Sequence, residues 1–379
     1  MFDLTADQEQ RAVRLHRESL VVDSLSPGPI GCSAEMERCY AERLSRGMPF
    51  LAARTEVQRH IETLLLAGRY PAWRDAWYDS GVDAGSCTVG VFGPYGNWTY
   101  QQAVHDLALW QRRFDTLDWL EKVRAAPDVE RIGAGGRKGV ILNFQNARAI
   151  EDRLDYLDFF YDLGVRVVQL TYNSRNLLGD GCTERNPAGL SAFGVQAVGR
   201  MNELGMLVDL SHCSIPTTLD GIDISHRPVA VTHSVCRAVH DHARGKTDEV
   251  LEAIAASGGY FGVCTVPFFL TGSGRPSIHD FMAHFNHAVS IAGADSVGIA
   301  SDWDRLPPSM QAIYGDVVRA ELNFREEDAI DPTLETEGLE SYDRLGNVTR
   351  AFVAEAYSDE EIRGFLGGNF LRTFAAACD

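Results

Sequence analysis

Short apolar runs recur along the chain, and most are separated by longer segments whose apolar residues repeat with helical spacing. The runs are continuous and rich in Val, Leu and Ile, which is typical of strands covered on both faces. The predicted strands are 19–25, 86–93, 139–145, 165–172, 206–212, 228–234, 259–266 and 296–303. The predicted helices between them are 100–126, 149–164, 194–205 and 247–258. In the last helix, Thr247 is the expected N-cap and Gly258 the expected end.

Strands that alternate with helices pair in parallel through right-handed crossovers, and eight such units predict an α/β fold, a (β/α)8 barrel of the TIM type. We expect a single barrel domain over residues 1–379. A doubly wound open sheet is the alternative, because a count of strands does not prove closure. Two stretches exceed an ordinary connection, 26–85 after the first strand and 305–345 after the eighth. The second is acidic and contains proline, which indicates a lid or an oligomer contact.

Composition narrows the class of partner. The 379-residue chain is 45% hydrophobic with a net charge of −18, which argues against nucleic acid and anionic membranes as partners. No apolar run reaches the roughly 20 residues of a membrane span, and the amino terminus predicts a polar amphipathic helix without a signal-peptide core. Eight cysteines without CxxC spacing favour a reducing compartment, so we expect a cytoplasmic protein. A small-molecule substrate is the expected partner, and homo-oligomerisation stays open.

Three predicted strands end in residues that bind metals. His212 and His233 lie at the carboxyl ends of GMLVDLSH and PVAVTHS, and Asp302 lies at the end of SVGIASDWD. In a parallel barrel these ends meet at one mouth, where two imidazoles and a carboxylate suit a catalytic zinc. Asp302 is either the third ligand or the base that takes a proton from water. The alternative is that each histidine is an ordinary core residue with its hydrogen bonds satisfied.

Two further features belong to loops at the same end. Arg244 follows His233 by eleven residues and is a candidate clamp for a substrate carboxylate, the alternative being a solvated surface arginine. The loop 174–190 is long and carries Cys182 and Glu184, either of which could supply a metal ligand or a nucleophile. A structural loop that closes over the mouth is the other interpretation.

Several longer stretches carry a family resemblance. They are LGVRVVQLTYNSRNLLGDGCTERNPAGLSAFG, MNELGMLVDLSHCS, PVAVTHS, RPSIHDFMAHFNHAVSIAGADSVGIASDWD and GGNFLR, in that order. The chain therefore resembles the renal, or membrane, dipeptidase family of the amidohydrolase superfamily. The resemblance implies a (β/α)8 barrel, hydrolysis of dipeptides and related amides, and a two-zinc site. By position, His212 and His233 match the ligands of the second metal, Asp302 matches the carboxylate that binds the first metal and moves the proton, and Arg244 matches the substrate clamp.

Departures from the family pattern concern the first metal. In the family, a His-x-Asp pair at the end of the first strand binds this metal, and a Glu bridges it to the second metal. In this sequence those positions are Leu25, Pro27 and Gln145. Leucine and proline cannot coordinate a metal, and a neutral amide bridges poorly. The family's substrate-contacting His after the fourth strand reads Tyr172. We therefore expect at most one zinc per chain, held by His212, His233 and Asp302.

The expected roles follow from these positions. Asp302, Gln145 and Tyr172 are the predicted catalytic residues, and Arg244, Tyr172 and Asn173 are the predicted substrate-binding residues. A mononuclear hydrolase of an amide or another C–N bond is the first hypothesis. A lyase, isomerase or decarboxylase with one metal or none is the second, and a non-catalytic ligand-binding protein is the third.

Overall fold

The computed structural model describes residues 2–26, 33–89, 98–302, 307–311 and 323–378, and Pro27 lies outside them. Within these ranges one parallel sheet contains the strands in the order β1-β2-β4-β5-β6-β7-β8-β9, with β3 paired to β4. The strands are β1 Val22–Ser26, β2 Ala84–Thr88, β3 Leu120–Lys122, β4 Lys138–Phe144, β5 Val165–Gln169, β6 Leu207–Asp209, β7 Ala230–Ser234, β8 Tyr260–Cys264 and β9 Val297–Ala300.

The first and last strands meet, so the sheet is a nearly closed barrel. Asp302 donates its backbone N–H to the Leu25 carbonyl at 2.9 Å. Inside the barrel, the Ser24 hydroxyl reaches both the Thr232 carbonyl at 2.6 Å and the Ile299 carbonyl at 2.8 Å. The predicted (β/α)8 barrel is confirmed, and the open sheet is excluded.

Helices surround the barrel, and the last one covers its amino-terminal end. Asn202 of one such helix bonds Ser225 after the next, as neighbours around a barrel do. Phe370 and Phe374 of the last helix pack with the amino-terminal ends of the strands. The helices of eight or more residues are α1 Ala6–Glu18, α2 Ala34–Ser45, α3 Phe50–Leu66, α4 Ala72–Ser80, α5 Tyr100–Thr116, α6 Ala126–Ala134, α7 Asp155–Asp162, α8 Ala192–Leu204, α9 Ile215–Ile224, α10 Asp248–Ala256, α12 Ile278–Ala292, α13 Asn347–Ala354 and α15 Asn369–Cys378. Two short helices are α11 Pro267–Leu270 and α14 Asp359–Arg363.

One predicted helix is wrong in part. The sequence predicts a continuous helix over 100–126, whereas α5 ends at Thr116 and β3 follows. The backbone of this segment joins β4, because Lys138 donates to the Trp119 carbonyl and Val123 donates to the Val140 carbonyl, both at 2.8 Å. Pairing with an existing strand overrides the helical spacing of the apolar residues.

The long segment after β1 consists of helices α2, α3 and α4 wherever it is described. Trp73 and Trp77 of α4 are buried and pack against each other and against Trp119, with ring centroids 5.0 to 6.1 Å apart. At its other end, the Glu37 carboxylate of α2 accepts from the backbone N–H and the hydroxyl of Ser309, beyond β9. The segment is therefore packed against the barrel. No helix within the described ranges has both the length and the apolarity that a membrane span requires.

Candidate metal centre

His212 and His233 meet at the mouth of the barrel. His212 follows β6 by three residues, and His233 lies within β7, the neighbouring strand. Their Nε2 atoms are 3.0 Å apart, and both side chains are buried. Burial, reinforced by the charge of Arg244, lowers the pKa of both imidazoles well below the usual value. Both rings are therefore neutral, the form that binds metals.

The hydrogen bonds of the two Nδ1 atoms set the tautomers. His212 Nδ1 donates to the Asn173 amide oxygen at 2.7 Å. His233 Nδ1 lies 2.8 Å from the Thr232 hydroxyl, which itself donates to the Asp209 carboxylate at 2.6 Å and so accepts from the ring. Each neutral ring thus carries its proton on Nδ1, and two bare Nε2 lone pairs converge.

The converging lone pairs fit a shared cation. Two nitrogens bound to one tetrahedral zinc at about 2.0–2.1 Å lie roughly 3.3 Å apart, close to the distance between these Nε2 atoms. The Nδ1 atom of His212 bonds an amide oxygen, and that of His233 bonds a hydroxyl that is itself bonded to a carboxylate. Groups of this kind orient the histidine ligands of metal ions in proteins. The two side chains therefore suit zinc by both ligand type and geometry.

Asp209 organises this half of the mouth although it is not among the predicted site residues. Its buried carboxylate accepts from the backbone N–H and hydroxyl of Ser211 and from the backbone N–H and hydroxyl of Thr232. Burial raises the pKa of Asp209, and these four bonds oppose the rise. In the sequence, Asp209 can be recognised as a single acid within the apolar run LVDLSH, three residues before the candidate ligand His212.

Tyr172 and Asn173 lie beside His212. The Tyr172 ring stacks on the His212 ring with centroids 3.8 Å apart and planes 21° apart. Trp98 packs against Tyr172 at 4.7 Å. The side chain of Asn173 is buried and also accepts a bond from the Cys182 thiol at 3.4 Å. Tyr172 and Asn173, both predicted substrate contacts, thus touch His212 directly.

The loop that carries Cys182 and Glu184 is tied to the mouth. Cys182 donates its backbone N–H to the His212 carbonyl at 2.8 Å, and Thr183 donates to the Asn173 carbonyl at 3.0 Å. The Glu184 carboxylate accepts from the backbone N–H of Arg175 within the same loop. These contacts describe a structural role for the loop, with the Cys182 sulfur close to Asn173.

Arg244 is buried beneath the histidine loops. Its guanidinium donates to the Ser211 carbonyl at 2.6 Å and to the His233 carbonyl at 3.0 Å, so it joins the segments that follow β6 and β7. The solvated surface arginine is excluded, because the residue is 0% exposed. Its Nε–H is buried without a partner among the described residues. Lys246, two residues later, donates to the Cys213 carbonyl at 2.6 Å, and burial lowers the pKa of this lysine to about 8.

Asp302 and Gln145 lie at the same end of the barrel. Asp302 follows β9 with a left-handed backbone, φ 53°. Burial raises the pKa of Asp302 to about 7, and the charge of Arg244 opposes the rise. Gln145 follows β4 directly. Its backbone carbonyl accepts a hydrogen bond from the Gln169 side-chain amide, which also donates to the backbone carbonyl of Thr171 at 2.8 Å.

The opposite half of the mouth contains Leu25 where a ligand is expected. Leu25 is 2% exposed and packs in the main core. Asp23, two residues earlier, accepts from the Ser301 backbone at 2.9 Å and from the Ser301 hydroxyl at 2.5 Å. Tyr342 contacts the Ser26 hydroxyl at 3.3 Å. The polar groups here bond one another, whereas those around the histidines leave two lone pairs open.

Imidazole nitrogens that converge at the carboxyl end of a (β/α)8 barrel are typical of metal-dependent hydrolases. The chain belongs to the membrane dipeptidase family, peptidase family M19, whose family model matches residues 9–313. The family resemblance of the sequence is thereby confirmed.

Individual relatives agree with this assignment. An uncharacterized dipeptidase of Schizosaccharomyces pombe is 34% identical over 45% of this chain and 43% of its own length. The dipeptidase tcpJ of Claviceps purpurea is 27% identical over 75% of this chain and 64% of its own length. The chain thus spans less than two thirds of these curated relatives. A crystal structure of an amidohydrolase from Pseudomonas aeruginosa matches 97% of this chain and 99% of its own, with 26% identity and a TM-score of 0.76.

Proposed function

We propose that the chain hydrolyses an amide or another C–N bond of a small amino-acid-like substrate at a barrel mouth that holds one divalent ion. The pair of bare Nε2 atoms on His212 and His233, 3.0 Å apart, carries the proposal. Membership in a dipeptidase family supports hydrolysis, and the neutral imidazoles favour zinc. Because Leu25 cannot coordinate and Gln145 replaces an acid, we assign a single ion to the mouth.

His212 and His233 would hold the ion, and Asp302, whose carboxylate does not lie within 4.8 Å of ligand atoms of both imidazoles, would act as the base. A bound zinc supplies Lewis acidity, which brings the pKa of water near 7. Asp302 follows β9 at the mouth, and its backbone is anchored to Leu25. From this position we assign it the proton that leaves the attacking water and later joins the leaving nitrogen. Asn173 and Thr232 keep the Nδ1 protons in place throughout.

Arg244, Tyr172 and Asn173 are the proposed substrate contacts. The unpartnered Nε–H of Arg244 is a donor suited to a substrate carboxylate, while its other bonds keep the guanidinium in position. Tyr172, which stacks on His212 and contacts Trp98, would supply an apolar wall beside the clamp. With Gln145 and Tyr172 at the mouth, an uncharged lining would receive the remainder of the substrate.

Ordinary dipeptides are expected to be poor substrates. A second Lewis acid that would polarise the peptide carbonyl needs ligands that Leu25, Pro27 and Gln145 do not provide. The test is a panel of L,L- and L,D-dipeptides and N-acyl amino acids, assayed with zinc supplied, against the wild-type chain and His212→Ala. We expect hydrolysis that depends on His212, with dipeptide turnover well below the typical enzyme range of about 1–10³ per second.

The same assay discriminates between the alternatives. Dipeptide turnover within the usual enzyme range would show that the reduced mouth suffices for peptide chemistry and would overturn the substrate assignment. Products that form without incorporation of ¹⁸O from labelled water would point to the lyase, isomerase or decarboxylase hypothesis. Arg244→Lys serves as the matched variant for the clamp, because it keeps the charge but loses the fork of donors, and we expect the KM to rise more than kcat falls.

A further inference from the structure

A second cluster of metal-binding side chains lies away from the histidine pair, between α2 and α3 of the segment that follows β1. Glu35 and Cys39 are four residues apart on α2 and therefore share one face of the helix. His60 reaches them from α3, the helix packed against α2. One ligand atom of each side chain lies within 4.8 Å of the other two.

The distances suit a tetrahedral ion. The Cys39 thiol is 3.6 Å from Glu35 Oε1, and His60 Nε2 is 3.3 Å from the same oxygen. Zinc bonds of about 2.0–2.3 Å to sulfur, nitrogen and oxygen place their ligand atoms roughly 3.3–3.6 Å apart. Two donors thus converge on one carboxylate oxygen at the separations that a shared ion would require.

Charge and burial agree with this geometry. The other oxygen of Glu35 pairs with Arg38, which orients the carboxylate and leaves Oε1 to Cys39 and His60. A thiolate, a carboxylate and a neutral imidazole together balance the charge of a divalent ion. Cys39 is 5% exposed, whereas the His60 side chain is 39% exposed. The sulfur is thus enclosed in the core, and the edge that carries His60 is open to an incoming ion.

We propose that Glu35, Cys39 and His60 form a second divalent metal site that takes a zinc-class ion and joins α2 to α3. On binding, the Cys39 S–H bond breaks, a sulfur–metal bond forms and the proton goes to solvent, with no change of oxidation state. The ion would fix α2, whose Glu37 carboxylate also accepts bonds from Ser309 beyond β9. With the ion at the barrel mouth, the total would be two per chain, one more than the sequence predicts.

Cobalt(II) titration of the metal-free 379-residue chain tests the proposal. Only a thiolate ligand gives an intense sulfur-to-cobalt charge-transfer band, and the mouth site with its two imidazoles gives none. We expect the band in the wild type and in His212→Ala, and its loss in Cys39→Ser. His60→Gln should weaken cobalt binding at this site by at least about 10-fold. His105→Gln, which removes an exposed histidine paired with Asp106 on α5, is the matched control and should leave the band unchanged.

Each alternative has its own outcome. Absence of the band in a folded wild-type chain would reduce the cluster to hydrogen bonds from Cys39 and His60 to Glu35. Loss of the band in Cys182→Ser, with retention in Cys39→Ser, would assign the sulfur to the barrel mouth and overturn the proposal. Thermal melting of metal-free Cys39→Ser separates misfolding from lost binding, because serine keeps the size of the side chain. The second metal site does not depend on the proposed hydrolytic function. His212→Ala should remove only the ion at the barrel mouth, and the cobalt band from Cys39 should remain.

Discussion

In both halves of the barrel mouth a buried aspartate makes the same set of hydrogen bonds, here called the framework. The residues that follow these hydrogen bonds differ in their ability to bind a metal. In each half a buried aspartate within a strand, Asp209 of β6 or Asp23 of β1, accepts the backbone N–H of the residue two positions later. Each also accepts the backbone N–H and the hydroxyl of a residue from the neighbouring strand or its end, Thr232 of β7 or Ser301 directly after β9. The framework is thus shared, although the strands differ.

What differs is the residue that the framework presents. Beside Asp209, the chain continues to His212, and Thr232 precedes His233, so this half ends in two candidate metal ligands. Beside Asp23, the chain reads Leu25, and Ser301 precedes Asp302. A buried carboxylate therefore joins the strands in the same way in both halves, and this hydrogen bonding does not require that a metal-binding residue follow it.

The largest expected effect is on the histidine half. His233→Ala removes one of two converging nitrogens, so the chain should lose the mouth ion and its hydrolytic activity should fall by at least about 100-fold. Metal analysis together with the assay is the measurement, and His226→Ala, at an exposed histidine, is the control. Full metal content in His233→Ala would place the ion elsewhere.

Restoring a ligand in the other half is expected to be costly. Leu25→His buries an imidazole without a partner in a packed position and should lower the free energy of unfolding by about 2–4 kcal/mol. The mouth should still hold one ion, because Gln145 remains neutral. Chemical denaturation and metal analysis of the same preparation measure both quantities. A second mouth ion in this variant would show that one histidine is enough to rebuild the lost site.

Removing the framework hydroxyl separates the two halves most directly. Thr232→Val deletes the group that fixes the His233 tautomer, so zinc affinity should fall by about 10–100-fold, equivalent to about 1.4–2.7 kcal/mol. Ser301→Ala removes the corresponding hydroxyl beside Asp23 and should leave zinc affinity nearly unchanged. Competition with a chelator of known affinity provides the measurement. Equal losses in the two variants would contradict the division of roles.

Expressed per pH unit, the smallest effect is the pH dependence of Asp23. Burial raises the pKa of Asp23 to about 7 in the folded chain, against an ordinary value of about 3.9 when unfolded. Between these values the native state keeps a proton that the unfolded state has released, so this residue's contribution to stability falls as pH rises from about 4 to 7. The slope is at most about 1.4 kcal/mol per pH unit. The difference between wild-type and Asp23→Asn unfolding curves should show this slope, and parallel curves would contradict it.

By itself the sequence determined the alternation of strands and helices, the family, and the positions of His212, His233 and Asp302 at strand ends. These features depend on local periodicity and on the rule that parallel strands end at one face. It also showed that Leu25, Pro27 and Gln145 occupy positions where the family pattern has metal ligands. The break at Thr116 was missed, because pairing of β3 with β4 is a tertiary contact.

Only the tertiary structure decided closure of the barrel, the tautomers of the histidines and the meeting of Glu35, Cys39 and His60. The Asn173 amide that sets the His212 proton is 39 residues away in the chain, and the two ends joined by Leu25 and Asp302 are separated by most of it. Such contacts depend on how the segments pack, which no local pattern of hydrophobic and polar residues records. For the same reason Arg244, polar in the sequence, is fully buried under the histidine loops.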